Sequence, residues 1–254
     1  MKTDAIAVMM KVPIPGQVKT RLTPPLTAKQ ALDVHIACMQ DTFGTLTRLT
    51  DLFDIHLFIY PASSGNPLLG PAYGLARRKT SALLIEAADF IPTSFTRHAQ
   101  EGETFQDRLA HSVRMLFAMG YKRVLQMGTD SPHLETAALK KAHQSLSQND
   151  IVIGPAFDGG FYLLGMKKPY LELYKELPLS SSNTCNELLK KATERLLRFQ
   201  LLERLHDIDT AETLFLLAEQ GLLARSPHLS FLLTKYDASA ILGVCGYRGA
   251  SESG

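Results

Sequence analysis

Six consecutive apolar residues, Ala5-Ile6-Ala7-Val8-Met9-Met10, run without alternation into the breaker loop Pro13-Ile14-Pro15-Gly16. A short continuous apolar run of this kind reads as a strand buried on both faces. Such a strand needs cover above and below, so the chain must supply helices to both sides of a sheet. It does. Thr27 opens a helical pattern through Ala28, Ala31/Leu32, His35/Ile36, Met39, Phe43 and Leu46. Asp54 to Tyr60 is a second strand and Ala82 to Ala87 a third. Phe105, Leu109, Val113 and Leu116 mark a helix that stops at Gly120, and Val124 to Met127 is the next strand. Ser131-Pro132 suits the cap and first position of a helix carrying Leu134, Ala138, Ala142 and Leu146. Ile151 to Ile153 and Phe161 to Leu164 are further strands. Thr184 to Glu187 has capping-box spacing, Phe199 to Leu205 suits a late strand, and Thr210 opens another helix. Strands alternating with helices predict an α/β fold with a mainly parallel sheet covered on both faces. We expect one domain over residues 1–220, then a helical extension over 221–254 that ends in a loose tail, Gly246 to Gly254.

With 254 residues, 45% of them hydrophobic, the chain can bury a core without disulfide or metal staples. Cys38, Cys185 and Cys245 are scattered and form no CxxC pair, so no zinc site or disulfide framework is indicated and a reducing, cytoplasmic setting is expected. The N-terminal apolar run is too short for a signal peptide. No stretch approaches the ~18 consecutive apolar residues of a membrane span. The charge balance, 27 Lys+Arg against 25 Asp+Glu, argues against a general nucleic-acid or membrane-surface binder.

In an open α/β sheet ligands bind beyond the carboxyl ends of the strands, and four polar clusters fall just after predicted strands. The first is Lys11 to Leu22, where Lys11, Lys19, Arg21 and Gly16, stiffened by two prolines, suit a loop that wraps phosphate oxygens. It lacks Walker A spacing, and an exposed basic loop is the alternative. The second is Gly128-Thr129-Asp130-Ser131-Pro132, whose carboxylate faces the cleft and can hold a divalent cation or simply form a turn. The third is Asp207-Ile208-Asp209-Thr210. In extended backbone, period-2 geometry puts both carboxylates on one face, which favours Mg2+ or Mn2+ completed by substrate phosphates. Alternatively, Asp209 or Thr210 caps the following helix. The fourth is Gly154 to Tyr162, where Asp158, Gly159 and Gly160 make either a ligand-approaching turn or a tight hairpin.

These four motifs, in this order, resemble a family of bacterial glycosyltransferase-like proteins related to the glycosyltransferase of arsenosugar biosynthesis. The likeness covers roughly residues 5 to 215. The wider superfamily is that of nucleotide-diphospho-sugar transferases, with the GT-A fold, and it includes molybdenum-cofactor and phospholactate guanylyltransferases. The resemblance implies a three-layer α/β/α domain in which Lys11, Gly16, Lys19 and Arg21 contact nucleotide phosphates. It also implies metal-associated positions at Asp130, Asp207 and Asp209, and an acceptor or sugar pocket bordered by Asp158, Gly159, Gly160 and Tyr162. The chain departs from the family in carrying Phe161-Tyr162 where a Tyr-Tyr pair is usual, and in having no Trp.

The leading expectation is a glycosyltransferase that uses Mg2+ or Mn2+, a nucleotide-sugar donor and a small-molecule acceptor, with Asp158 as candidate general base. The alternative is a nucleotidyltransferase that releases pyrophosphate with the same phosphate loop and acidic site. A nucleotide-binding protein without turnover is a third reading, since fold alone does not imply function.

Overall fold

A computed structural model of the chain describes residues 2–61, 89–179 and 181–236. The expected strand at Ala82 to Ala87 and the expected tail lie outside these residues. The strands are β1 (Asp4–Lys11), β2 (Asp54–Tyr60), β3 (Thr96–Ala99), β4 (Arg123–Met127), β5 (Ile151–Pro155), β6 (Phe161–Met166) and β7 (Phe199–Leu201). They form one sheet in the order β3-β2-β1-β4-β6-β5-β7. The β1–β2, β1–β4, β2–β3 and β5–β7 pairings are parallel. β6 is antiparallel to both its neighbours.

β1 lies inside the sheet between β2 and β4, which is why its sequence is apolar on both faces. Ile6, Val8 and Met10 point into one core, and Ala5, Ala7 and Met9 into the other. The first core is closed by α1 (Ala28–Thr47), through Met39, Phe43 and Leu46, and by α3 (Thr136–Ser145), through Leu139 and Ala142. The opposite core is closed by α2 (Phe105–Ala118), through Leu109, Val113 and Leu116, and by α4 (Thr184–Glu194), through Leu188 and Ala192. The result is the expected three-layer α/β/α arrangement.

A third cluster lies outside the sandwich. Val34, Ala37 and Cys38 on the far face of α1 pack with Leu22, Leu26, Ile208 and α5 (Ala211–Glu219). Leu229 of α6 (Pro227–Lys235) completes it, so α6 rests on α1.

Of the capping signals read from the sequence, those at Thr27 and Thr210 hold and those at Ser131 and Thr184 fail. Thr27 and Gln30 form a reciprocal capping box on α1, and Thr210 caps α5 by accepting from Thr213 N. Ser131-Pro132 does not open a helix: α3 begins at Thr136 after Glu135, and Ser131 spends its hydroxyl on Asp207. Thr184 is not a cap either. It is the first residue of α4, buried, and its hydroxyl donates to the carbonyls of Pro178 and Ser181. The late strand is shorter than expected and ends at Leu201, although Ala156 and Leu205 still pair in an isolated parallel bridge. Among the described residues no helix is long and apolar enough to cross a membrane.

Candidate active site

The strand order reverses at β1, which has β2 on one side and β4 on the other, and the crevice beyond their carboxyl ends is where a doubly wound sheet binds ligands. The loop after β1 enters that crevice. Val18 and Leu22 are buried and anchor it, while Gly16, at φ +73°, lies exposed at its turn. Between the anchors, Lys19 takes a left-handed backbone, φ +48° and ψ +36°, and starts the single 3-10 turn Thr20–Leu22. Its side chain is only 3% exposed. The loop backbone is at the surface, and its lysine is turned inward.

Lys19 Nζ forms an ion pair with Asp130 Oδ1, donates to the carbonyl of Ile208 at 2.6 Å and pairs with Asp209 Oδ1 at 3.1 Å. Residues from two distant parts of the chain are thus tied to the ammonium of a third. Asp130 follows β4, and its own carbonyl accepts Ile208 N at 2.8 Å, which fixes the Asp207–Asp209 segment against the β4 loop. Ile208 is fully buried in the α1–α5 cluster and anchors that segment from behind. Asp207 and Asp209 do not lie in the extended backbone assumed from period 2. Asp209 N donates to Asp207 O at 3.0 Å in a three-residue turn. The turn sends the two carboxylates to different partners: Asp209 to Lys19, Asp207 to the Ser131 hydroxyl.

The electrostatics follow from this geometry. Burial opposes the Lys19 charge, but Asp130 and Asp209 outweigh it and hold the ammonium well above the ordinary lysine range. Burial likewise pushes Asp130 toward protonation, and Lys19 overrides it, holding the carboxyl below its usual value. Asp207 goes the other way. Burial first, then the nearby charges of Asp130, Asp158 and Asp209, raise it to about 7 against the Ser131 hydrogen bond. Asp130 and Asp209 remain open to the cleft, with 45% and 42% of their side chains exposed.

Beneath the loop, His35 of α1 donates Nε2–H to the Lys11 carbonyl at 3.2 Å, which leaves Nδ1 as an unpartnered buried acceptor among the described residues. Burial and then the Lys19 charge depress its pKa to about 4, so it is neutral beside the ammonium. Lys11 itself is exposed, and its charge still acts on Asp130. Arg21 is exposed and acts on Glu212 at the start of α5 rather than joining the Lys19 cluster.

The other wall comes from the connection between β5 and β6. It is the hairpin that the Asp-Gly pair also allowed, since β5 and β6 are antiparallel and Ala156 N donates to Gly160 O at 2.9 Å. Asp158 is exposed, and its Oδ1 accepts Gly160 N at 2.8 Å. Gly159 has φ +90°, a Cβ there would land on the Ser182 carbonyl oxygen, and its own carbonyl accepts Cys185 N at 2.8 Å. Only glycine fits. Tyr162 is buried, with its ring where a Cβ on Gly154 would sit and its hydroxyl donating to Glu203 O at 3.0 Å. It therefore braces the wall from inside. Phe157, at the tip, is 54% exposed and stacks on His206.

Sequence reasoning missed Ser131, the Ile208 carbonyl, His35 and buried His133, whose Nδ1 is also unpartnered among the described residues. Ser131 adjoins Asp130, the one available hint; a main-chain acceptor and a helix histidine give none.

Comparison with known proteins agrees with this architecture. A family model described as "Uncharacterized protein conserved in bacteria (DUF2064)" matches residues 75–181. No curated protein matches. Among solved structures, a provisionally assigned nucleotide-diphospho-sugar transferase from Desulfovibrio desulfuricans G20 is 26% identical, with 96% of this chain and 98% of that one covered at a TM-score of 0.80. The 4-diphosphocytidyl-2C-methyl-D-erythritol synthase of Anaerococcus prevotii DSM 20548 is 12% identical, with coverages of 86% and 96% and a TM-score of 0.52. A cytidylyltransferase from Leptospira borgpetersenii serovar Hardjo-bovis is 9% identical, with coverages of 95% and 97% and a TM-score of 0.51. The last two share the fold alone. The fold is that of a nucleotide-diphospho-sugar transferase-like family, as the motif resemblance implies, and these neighbours are transferases.

Proposed function

We propose that the chain is a metal-dependent glycosyltransferase that takes a nucleotide-diphospho-sugar donor. The observation that carries this reading is the convergence of Lys19, Asp130 and Asp209 at the carboxyl end of the sheet, joined by direct ion pairs. Support also comes from the whole-chain likeness to the Desulfovibrio protein. Lys11, Lys19 and Arg21 lie on the loop that meets the diphosphate first.

Charge counting argues for a cation. One ammonium faces the carboxylates of Asp130 and Asp209, with Asp207 close behind, so the cluster is net negative and by itself repels a diphosphate. Among the described residues no three His, Cys, Asp or Glu side chains come together as a self-sufficient metal cage. Two half-exposed carboxylates do fit a hard divalent ion whose other positions are taken by substrate phosphates and water. Asp130 and Asp209 would hold it. Asp207, committed to Ser131, is a supporting residue behind them. Bound there, Mg2+ or Mn2+ would neutralise charge that grows on the departing nucleoside diphosphate. Lys19, fixed in position before substrate arrives, screens the two carboxylates from each other and orients them. Asp158, on the β5–β6 turn and near enough for its charge to act on Asp207, is the candidate base for an acceptor hydroxyl, with one carboxylate oxygen already used by Gly160 N.

The test is a panel of nucleotide sugars with Mn2+ or Mg2+, read as released nucleoside diphosphate. Release from a donor subset, abolished by EDTA and restored by metal, is expected. Metal-independent release, or none from any donor, overturns the reading. Pyrophosphate release from a nucleoside triphosphate plus a phosphorylated acceptor would replace it with nucleotidyl transfer.

A further inference from the structure

The loop tip beside the acid cluster carries an aromatic surface to which the proposed reaction assigns no role. Phe157 is 54% exposed, yet it is not loose. Its N–H donates to the Leu205 carbonyl at 2.9 Å, one residue beyond the Ala156–Leu205 bridge, so the loops after β5 and β7 are stitched together there. Its ring stacks face to face on His206, with centroids 4.0 Å apart and planes 12° from parallel. The Arg204 guanidinium lies 5.7 Å from its centroid. Singly exposed apolar side chains are common and mean little. An exposed ring pinned by a main-chain hydrogen bond, a stacked imidazole and a guanidinium is different, because its position is set before any ligand arrives.

Its neighbours fix where it faces in the reaction. Phe157 directly precedes Asp158, and His206 directly precedes Asp207, which is tied through Ser131 to the loop of Asp130. Contacts therefore run in a chain from Lys19 through Asp130, Ser131 and Asp207 to His206 and Phe157. A diphosphate placed by charge at the cationic end leaves the aromatic end to the other substrate.

We infer that Phe157, held by His206 and Arg204, is the acceptor-binding platform, and that the acceptor is a hydroxyl compound presenting a flat ring face that stacks on it. Resting on the glycosyltransferase reading above, the inference adds the acceptor's chemical class. Stacking of one ring on another is directional and sequence-tolerant, and removing the platform ring costs binding rather than bond-making. His206 and Arg204 are positioning residues here. They set the tilt of the plate and touch no reacting atom.

The chain has no tryptophan, so Phe157→Trp installs a single reporter at the plate. The probe is p-nitrophenol, a flat hydroxyl compound whose nitro ring quenches indole on contact. Methyl glucoside, a pyranose, is tested as its competitor, and glycerol serves as ringless control. Phe231→Trp, at an exposed position of α6, reports collisional quenching. Saturable quenching at position 157 and only linear quenching at position 231, with glycerol unable to compete, supports the platform. Linear quenching at both positions overturns it. Competition by methyl glucoside assigns a sugar-ring acceptor, and its failure assigns an aromatic one, each within the inference. In the transfer assay, Phe157→Ala is expected to raise the acceptor KM roughly tenfold while the donor KM holds, and Phe157→Tyr to restore it. A rise in donor KM instead would place the nucleobase on the plate and overturn the assignment. If no donor turns over, the glycosyltransferase reading fails by itself, while the quenching result still decides whether a ring binds at Phe157.

Discussion

Replacing Asp130 with Asn keeps the shape of the side chain and removes the charge that both Lys19 and a divalent ion would meet. Because the proposed metal site would lose one of its two carboxylates, metal-dependent release of nucleoside diphosphate is expected to fall by about 100-fold or more. Mn2+ affinity, measured by calorimetry with nucleotide present, should weaken in parallel. Unchanged metal dependence would remove Asp130 from the site. The variant should stay folded, since Lys19 retains Asp209 and the Ile208 carbonyl as partners. Gly159 makes the opposite kind of prediction, structural rather than chemical. Gly159→Ala puts a methyl onto the Ser182 carbonyl at a φ of +90°, so the β5–β6 turn and the start of α4 must part. A loss of about 2–4 kcal/mol in urea unfolding is expected. A cost within about 0.5 kcal/mol, the range of an ordinary surface change, would mean the two segments separate freely.

At the scale of elements, one buried carboxylate ties the start of α6 to α1, beside the Leu229 packing and the Tyr236 hydroxyl bonded to Asp33. Asp41, whose side chain is 1% exposed, accepts His228 N at 3.0 Å, Leu229 N at 3.0 Å and His228 Nδ1–H at 2.8 Å, so a residue of α1 satisfies the free amides at the start of α6. Asp41→Ala leaves those amides unpaired and is expected to cost about 1–3 kcal/mol. Hydrogen exchange over residues 227–235 should rise first, while the β1 amides stay protected. Loss of protection in β1 together with α6 would show that α6 is integral to the core. Elements of this sort are only partly readable from the sequence. β1, α1, α2 and β4 announce themselves because burial on one or both faces imposes a period on their residues, and the loops after β1 and β4 can then be placed at one end of the sheet. The Lys19, Asp130 and Asp209 candidates come from that placement, and the structure brings them together. What cannot be read is pairing across distance. Ser131 and Thr184 have the chemistry of helix caps, but their hydroxyls find Asp207, 76 residues away, and the Pro178 and Ser181 carbonyls. No local rule distinguishes those outcomes. The direction of β6 is equally hidden, because an Asp-Gly turn serves a hairpin or a ligand loop with the same residues.

The whole molecule carries an acid sensitivity built from histidines buried as neutral rings. His35, His56 and His133 are each depressed to about 4, burial being the first cause in every case, and His98 is lowered for the same reason. His56 shows why the ring is kept neutral. Tyr121 donates its hydroxyl to Asp54, so it accepts from His56 Nε2–H, which leaves His56 Nδ1 to accept from His98 Nε2–H. A proton added to Nδ1 has no acceptor in that chain. The sign is then fixed. Between an ordinary imidazole value of 6.5 and the folded value of about 4, the unfolded chain binds protons at these positions that the folded chain refuses. The histidines' share of stability is therefore full above 6.5 and declines as the pH falls, by up to about 1.4 kcal/mol per histidine for each pH unit. Asp207, raised to about 7, takes up a proton in the folded state over the same range and offsets about one ring, which leaves two rings' worth, a large part of the ~5–15 kcal/mol that holds a domain together. Asp4 adds a later phase. Burial opposes its charge, but His143 at 2.9 Å and Arg123 at 3.1 Å hold its carboxyl below 3.8, so its contribution survives above that value and is lost only below it. Urea midpoints measured from pH 7.5 down to 4.5 should fall steeply and continuously, with most of the loss below 6.5. His56→Gln, which cannot take up a proton, should flatten the slope by about one histidine's share even if it lowers stability throughout. A midpoint that holds level from pH 7 to 5 would mean that these rings are protonated in the native state, and that the donors and acceptors of the Tyr121–His56–His98 chain run in a different order.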